Sequence, residues 1–385
     1  SEANTEVSKG LFEVSGGWVA AVRWQRSGGH AFSHNKPCPP EAVQKKIGRI
    51  FDWDPERASW PQDNQEAMQQ VMGNIGQEGD DEEEDAEGGD DAGEGGDHID
   101  PEDPDMVKEA KKQAVESSEF EYTERDVILY NLGLGAKATD LNLTYEQADE
   151  FQALPTFGVI PQFAASSSLP LDWLPNFSPM MLLHGEQYLA IKRPIPTSGT
   201  LVNKPRLLEA LDKGKAAAVT TITHTIEKES GDVVFENQST VFIRGSGGFG
   251  GKKQGEDRGE ATALNKPPSR KPDAVVEEKT TEDQAALYRL SGDYNPLHID
   301  PEFSKVGGFE KPILHGLCFF GISGKHVFQK YGPFKSIKVR FASTVLPGET
   351  LVTEMWKEGD KVIFQSKVKK FGKIVLSNAA CVLSK

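Results

Sequence analysis

Two motifs occur twice in this chain, in the same order, each beside long strand-forming runs. Leu183-His184-Gly185 matches Leu314-His315-Gly316, and Thr197-Ser198-Gly199-Thr200-Leu201 matches Pro347-Gly348-Glu349-Thr350-Leu351. In the first half, 187–195, 199–211, 216–227 and 233–244 read as strands separated by Pro-Thr-Ser-Gly, Asp-Lys-Gly and Ser-Gly-Asp turns. In the second half, 336–345, 350–356, 361–369 and 373–383 do the same, with hairpin turns at Glu358-Gly359-Asp360 and Phe371-Gly372. A repeated meander requires two copies of one supersecondary unit. The copies differ in one respect. Gly185 to Thr200 spans 15 residues, whereas Gly316 to Thr350 spans 34. The longer interval holds an apolar helix that follows Pro312, runs from Ile313 to about Gln329 and stops before Gly332-Pro333.

One long helix wrapped by an antiparallel sheet is the hot-dog arrangement. The chain therefore reads as α+β, a double hot-dog of two long antiparallel sheets wrapping a central helix, the first repeat lacking a full central helix. The missing helix predicts a gap against the first sheet, where a long apolar ligand would lie. Two shorter helices are expected. Thr123 to Asp126 caps one that buries Ile128, Leu129 and Leu132 and ends at Gly133. Thr280 to Asp283 caps another that buries Ala285, Ala286, Leu287 and Leu290 and ends at Gly292.

The net charge of −16 is concentrated in one place. Residues 78–97 hold twelve Asp or Glu and no Lys or Arg, which leaves about −4 elsewhere. Such a tract repels itself and has no apolar material to bury, so it reads as a disordered linker. The remainder offers no basic face for nucleic acid and no apolar run long enough for a membrane span. The first 20 residues lack the basic start and apolar core of a secretory signal. Cys38, Cys318 and Cys381 form no metal pattern and suit a reducing compartment. The expected organisation is a poorly supported segment 1–75, with a short helix from Pro39-Pro40 to Ile50. An acidic linker 76–107 follows, then an N-terminal hot-dog 108–245 that accommodates an acyl chain. A polar linker 246–273 leads to a C-terminal catalytic hot-dog 274–385.

The chemistry concentrates at Ser291-Gly292-Asp293-Tyr294-Asn295-Pro296-Leu297-His298. A helix ends at Gly292 and Pro296 blocks its continuation, so a carboxylate, an amide and an imidazole converge from one turn. Adding water to an enoyl thioester needs one group to take a proton from water and another to deliver one to C2. Asp293 and His298 suit these tasks. Gly316, near the start of the apolar helix, would offer an N–H without an intrahelical partner to the charge developing on the thioester oxygen. His184 and His315 read as structural residues at helix starts. This chemistry needs no cofactor or metal. Gly245-Ser246-Gly247-Gly248-Phe249-Gly250 fits a dinucleotide fingerprint, but no helix follows to hold the phosphates.

These residues resemble a known family. Residues 120–385 are similar to the hydratase 2 unit of peroxisomal multifunctional enzyme type 2. The likeness rests on Met181 to Tyr188, Gly245 to Lys252, Ala285 to Pro301, Lys311 to Cys318 and Leu351 to Gly359. The resemblance implies (R)-specific hydration of trans-2-enoyl-CoA by a homodimer acting on medium to very long chains. It implies that Asp293 and His298 hold the attacking water, that Asn295 positions the reacting groups, and that Gly316 supplies the oxyanion N–H. Lys325, Lys338 and Arg340 are candidates to meet the CoA phosphates. Residues 10–62 look like the end of the dehydrogenase unit that precedes the hydratase in that family. They lack its Gly motif and Tyr-x-x-x-Lys pair, so 1–75 reads as an inactive remnant of a longer polypeptide. The family implies a peroxisomal location, although the chain ends Leu383-Ser384-Lys385, one Leu short of that address. Two other readings stay open: a hot-dog thioesterase, which would release CoA, and a non-catalytic acyl-CoA module. A dehydratase running the same chemistry backwards differs only in its substrate.

Overall fold

The computed structural model describes residues 11–15, 18–22, 50, 51, 59, 99–113, 115–165 and 170–384. The helix expected from Pro39-Pro40, most of segment 1–75 and the acidic tract lie outside the described residues. The chain divides into two units, Ser1–Asp90 and Asp91–Lys385. In the first, β1 (Leu11–Ser15) and β2 (Trp18–Val22) form an antiparallel hairpin.

The second unit opens with α1 (Asp105–Lys112), which shortens the expected linker. α1 buries Val107 and Ala110 in a small core with Leu174, Leu207, Ala210, Ala217, Val219 and Ile243. β3 (Ser118–Tyr122) and α2 (Glu124–Gly133) follow, and α2 opens on the expected capping box of Thr123 and Asp126. Its buried face is not the expected one. Val127, Tyr130 and Asn131 point inward, and Leu132 is exposed. Asn131 sets this rotation. Its amide donates to the carbonyls of Leu143 and Gln152, and its oxygen accepts the Leu154 N–H.

The strands are β4 (Leu182–Ile191), β5 (Gly199–Asp212), β6 (Ala216–Glu227), β7 (Val233–Arg244), β8 (Ala274–Lys279), β9 (Phe334–Phe341), β10 (Thr350–Glu358), β11 (Lys361–Val368) and β12 (Lys373–Leu383). β6, β7 and β12 match the sequence reading residue for residue. β3 and β8 were not anticipated, because each is a short edge strand rich in Glu. The two expected sheets are joined. β4 pairs antiparallel with β9, so ten strands form one continuous sheet. Outward from that seam the order is β4-β7-β6-β5-β3 on one side and β9-β12-β11-β10-β8 on the other. Each strand thus has a counterpart five positions later in the chain. The double hot-dog is present, with the two repeats related across the β4–β9 seam.

The same correspondence corrects the register of the repeat. His184 and Gly185 lie within β4, whose counterpart is β9, so His184 does not stand at the start of a helix. The true match is Leu129-Tyr130 with Leu287-Tyr288. Tyr130 and Tyr288 lie on equivalent helices, their rings 6.1 Å apart in the core.

The central helix is α5 (Gly316–Tyr331), starting three residues later than expected. Every residue from Leu317 to Val327 is buried. A helix apolar on nearly all sides belongs inside a domain. In the first repeat its place is taken by 3₁₀ turns at Pro155–Val159 and Pro161–Ala165. Leu154, Phe157, Val159 and Ile160 are buried there, and Gly158 lies so close to Phe235 and Leu189 that a Cβ would clash. Among the described residues, these side chains occupy part of the gap expected for an apolar ligand. Turns of this kind leave carbonyls without partners, and buried carbonyls need them. Asn237 donates to the carbonyl of Gly158 and Asn203 to that of Pro161, each at 2.9 Å. Gln187 and Thr225 brace those two amides from behind.

Candidate active site

The candidate loop leaves β8 through a short helix, α3 (Gln284–Tyr288), and a 3₁₀ turn (Arg289–Ser291). Ala285 and Tyr288 face inward. Leu290, expected inside, is exposed because the chain turns away directly after it. The turn is made at Gly292, whose φ of +132° is strained for any residue with a side chain. The Asp293 carboxylate then accepts the Asn295 N–H at 3.3 Å, and the Asn295 side chain accepts the Leu297 N–H at 3.0 Å. This caps a second 3₁₀ turn, Pro296–His298, with proline at the position that loses no hydrogen bond. Asn295 thus acts on the loop by fixing the turn that delivers His298. Asp300 caps α4 (Pro301–Val306) in the same manner.

His298 is buried, and its Nδ1 lies 2.8 Å from the carbonyl of Ile313. A carbonyl only accepts, so Nδ1 carries the hydrogen and Nε2 carries the lone pair. Its ring stacks on that of His315, with centroids 3.8 Å apart and planes 30° apart. His315 Nε2 in turn donates to the Asp293 carbonyl at 3.1 Å. The loop is thereby fastened to the start of α5. There the Gly316 N–H, in the first turn, has no acceptor among the described residues. A Cβ on Gly316 would lie 3.2 Å from the Phe341 ring, a tight contact that glycine avoids.

Burial shifts the titrating groups toward their neutral forms. The Asp293 carboxyl is raised by desolvation, opposed by the nearby His298. His298 is lowered by desolvation, opposed by Asp293. His315 is lowered to about 3, by burial first and then by the neighbouring His298. A carboxylate oxygen of Asp293 and one ring nitrogen from each histidine lie within 4.8 Å of one another.

Two of the three CoA cations are corrected. Lys325 is buried on α5 and paired with Glu278 at 2.8 Å. Lys338 is buried on β9, bonded to the Ala263 carbonyl and paired with Glu186. Both ammonium groups thus have partners within the protein. Arg340 is exposed on β9, next to Phe341. The Gly-rich loop is also accounted for. The amides of Gly214, Gly248 and Gly250 donate to the Asp212 carboxylate at 2.8–2.9 Å, so an internal anion occupies the donors a phosphate would need. The contact of His315 with Asp293 was missed in the sequence, because its acceptor is a main-chain atom that no residue type reveals.

Comparison with known proteins agrees with this architecture. The MFE-2 hydratase 2 N-terminal domain matches residues 120–245 and the MaoC like domain matches 263–379. The peroxisomal hydratase-dehydrogenase-epimerase of Neurospora crassa is 54% identical over 381 residues, covering 97% of this chain and 41% of that protein. The chain thus spans less than half the length of this relative. The probable enoyl-CoA hydratase 2 of Dictyostelium discoideum is 44% identical over 288 residues, covering 72% of this chain and 96% of that protein. The crystal structure of a MaoC-like dehydratase from Phytophthora capsici superposes with a TM-score of 0.65 at 38% identity, covering 71% of this chain and 96% of the other. The chain belongs to the enoyl-CoA hydratase 2 family, its first repeat an MFE-2 hydratase 2 N-terminal domain and its second a MaoC-like domain.

Proposed function

We propose that this chain adds water across the 2,3 double bond of a trans-2-enoyl-CoA to give the (3R)-hydroxyacyl-CoA. Asp293 and His298 are the acid–base pair, and Gly316 is the oxyanion donor. One observation carries the reading: two acceptors, His298 Nε2 and the Asp293 carboxylate, are fastened beside the free N–H that opens α5. A water between two acceptors donates one hydrogen to each and keeps a lone pair for C3. Such a bridge spans about 4.5 Å, and a carboxylate oxygen of Asp293 and a ring nitrogen of His298 lie within 4.8 Å of each other. As the C3–O bond forms, one O–H bond of water breaks and its proton passes to the pair. The π electrons move toward the thioester, whose oxygen meets the Gly316 N–H. The pair then returns one proton to C2 and ends with the protons it began with.

The relatives extend the reading. The Neurospora protein's name joins a hydratase to a dehydrogenase and an epimerase and calls it peroxisomal. By this analogy the chain acts in peroxisomal β-oxidation, alongside dehydrogenase units of one longer polypeptide; that it does so as a homodimer rests on the family resemblance alone. Among the described residues no helix is long and apolar enough to cross a membrane.

The test mixes the protein with trans-2-decenoyl-CoA and follows the ultraviolet band of the enoyl thioester. Loss of the band with a (3R)-hydroxy product and no free thiol is expected. CoA release without a hydroxy product would mark a thioesterase, and an unchanged band with no thiol a binding module.

The acid limb of the pH profile follows from the same pair. The active form has an ionised Asp293 and a neutral His298, so activity falls as the pair gains a proton. Asp293 is raised from 3.8 and His298 lowered from 6.5. The acid limb of kcat/KM should therefore show one apparent midpoint that belongs to the pair rather than to either residue, moved above the usual carboxylate range by the burial of Asp293. A kcat/KM that stays flat down into the ordinary carboxylate range would contradict the assignment.

A further inference from the structure

We infer that His315 is a positioning residue for hydration, one that holds Asp293, His298 and the Gly316 N–H in a fixed mutual arrangement. The inference rests on the function proposed above. The parts of the reaction come from two chain segments. Asp293 and His298 lie on the loop after α3, and the oxyanion donor lies at the start of α5. His315 touches all three. Its Nε2–H donates to the Asp293 carbonyl at 3.1 Å, its ring stacks on His298 at 3.8 Å, and its peptide link leads directly to the Gly316 N–H. Its own carbonyl accepts the N–H groups of Cys318 and Phe319, which ties the residue to the first turn of α5.

A purely local role does not explain the residue. His315 occupies the N-cap of α5, a position that favours Ser, Thr, Asp or Asn. Its side chain makes no capping hydrogen bond. It is spent on Asp293 instead, 22 residues away in sequence. Its Nδ1 is buried without a partner, a defect that a site selected for stability alone would avoid. Tyr288, fully buried with its ring 5.0 Å from that of His315, helps to fix the ring plane. Burial keeps the imidazole neutral, so it brings no charge beside His298 and remains a rigid polar brace. Acid–base groups displaced by an ångström lose most of their advantage, whereas substrate binding elsewhere is unaffected.

The test compares two replacements in the full chain with trans-2-decenoyl-CoA. His315→Phe keeps a flat ring against His298 and Tyr288 but has no donor. His315→Gln brings an amide N–H near the place of Nε2. His315→Phe should lower kcat by about 100-fold, with KM within about 3-fold of the parent. His315→Gln should recover at least about 10-fold of that loss. Parent-like kcat in His315→Phe would overturn the inference. So would equal losses in both variants accompanied by equal falls in melting temperature, which mark a structural role. A parent chain without hydration activity would instead remove the proposed function, and the role of His315 with it.

Discussion

Asp293→Asn is expected to lower turnover on trans-2-decenoyl-CoA by at least about 100-fold, and His298→Ala by a similar factor. The asparagine has the shape of aspartate and still offers an oxygen to the Asn295 N–H, so the turn should survive. What it loses is the ability to hold a proton. A water between an amide and an imidazole has one strong acceptor instead of two, and the charge that supports the pair is gone. In His298→Ala the Nε2 lone pair is lost, and the Ile313 carbonyl loses its donor. Because the two residues act on one water, their losses should not multiply. The double variant should lie close to the worse of the two singles. Stopped-flow loss of the enoyl band, with circular dichroism to confirm the fold, reads this out. Near-normal turnover in either single variant would remove that residue from the mechanism.

The candidate loop was legible in the sequence because each of its turns is spelled out locally. Gly292 supplies the left-handed corner, Asn295-Pro296 and Asp300-Pro301 cap and start the next two elements, and their side-chain caps reach N–H groups two residues on. The meander was legible for the same reason, since β6, β7 and β12 are long alternating runs between Gly turns. Legibility failed where a partner is distant in sequence. Nothing local to Lys325 says that Glu278 lies 47 residues away and draws its ammonium into the core. Nothing around Asn131 says that three main-chain groups will turn α2 onto Val127 and Tyr130. The repeated Leu-His-Gly was misleading in a different way. In the second repeat it opens α5, and in the first it runs along β4, where the His184 ring packs 4.7 Å from Phe341. Identical tripeptides adopt different structures there because they stand at different places in the repeat, one in the seam strand β4 and the other at the start of the central helix. The Leu-Tyr pairs at 129–130 and 287–288 carry the true register. They also place Gly135 where the second repeat has Asp293, which explains why only one repeat holds the proposed acid–base set.

Gly316→Pro isolates the oxyanion donor, which no side-chain replacement can reach. Proline suits the first position of a helix, where its missing N–H breaks no intrahelical bond. The residue before it must be extended, and His315 already has φ −53° and ψ 134°. The backbone therefore tolerates the ring, and the change removes one hydrogen-bond donor from α5. The ring also presses on Phe341, so Gly316→Ala is the steric control, because its Cβ meets the same Phe341 atoms at 3.2 and 3.4 Å while the N–H remains. Gly316→Pro is expected to lower kcat by about 100- to 1,000-fold, the usual cost of one oxyanion-hole donor, or roughly 3–4 kcal/mol. Gly316→Ala should lose no more than about 10-fold, the share due to crowding. If the two variants fall together, the loss belongs to packing against Phe341, and the charge on the thioester oxygen must be met by another donor. If Gly316→Pro falls well below Gly316→Ala, the N–H at the start of α5 carries that charge. The burial of α5 from Leu317 to Val327 then has a functional reading, since a helix shielded from water along that stretch keeps its N-terminal field undiminished where the thioester oxygen arrives.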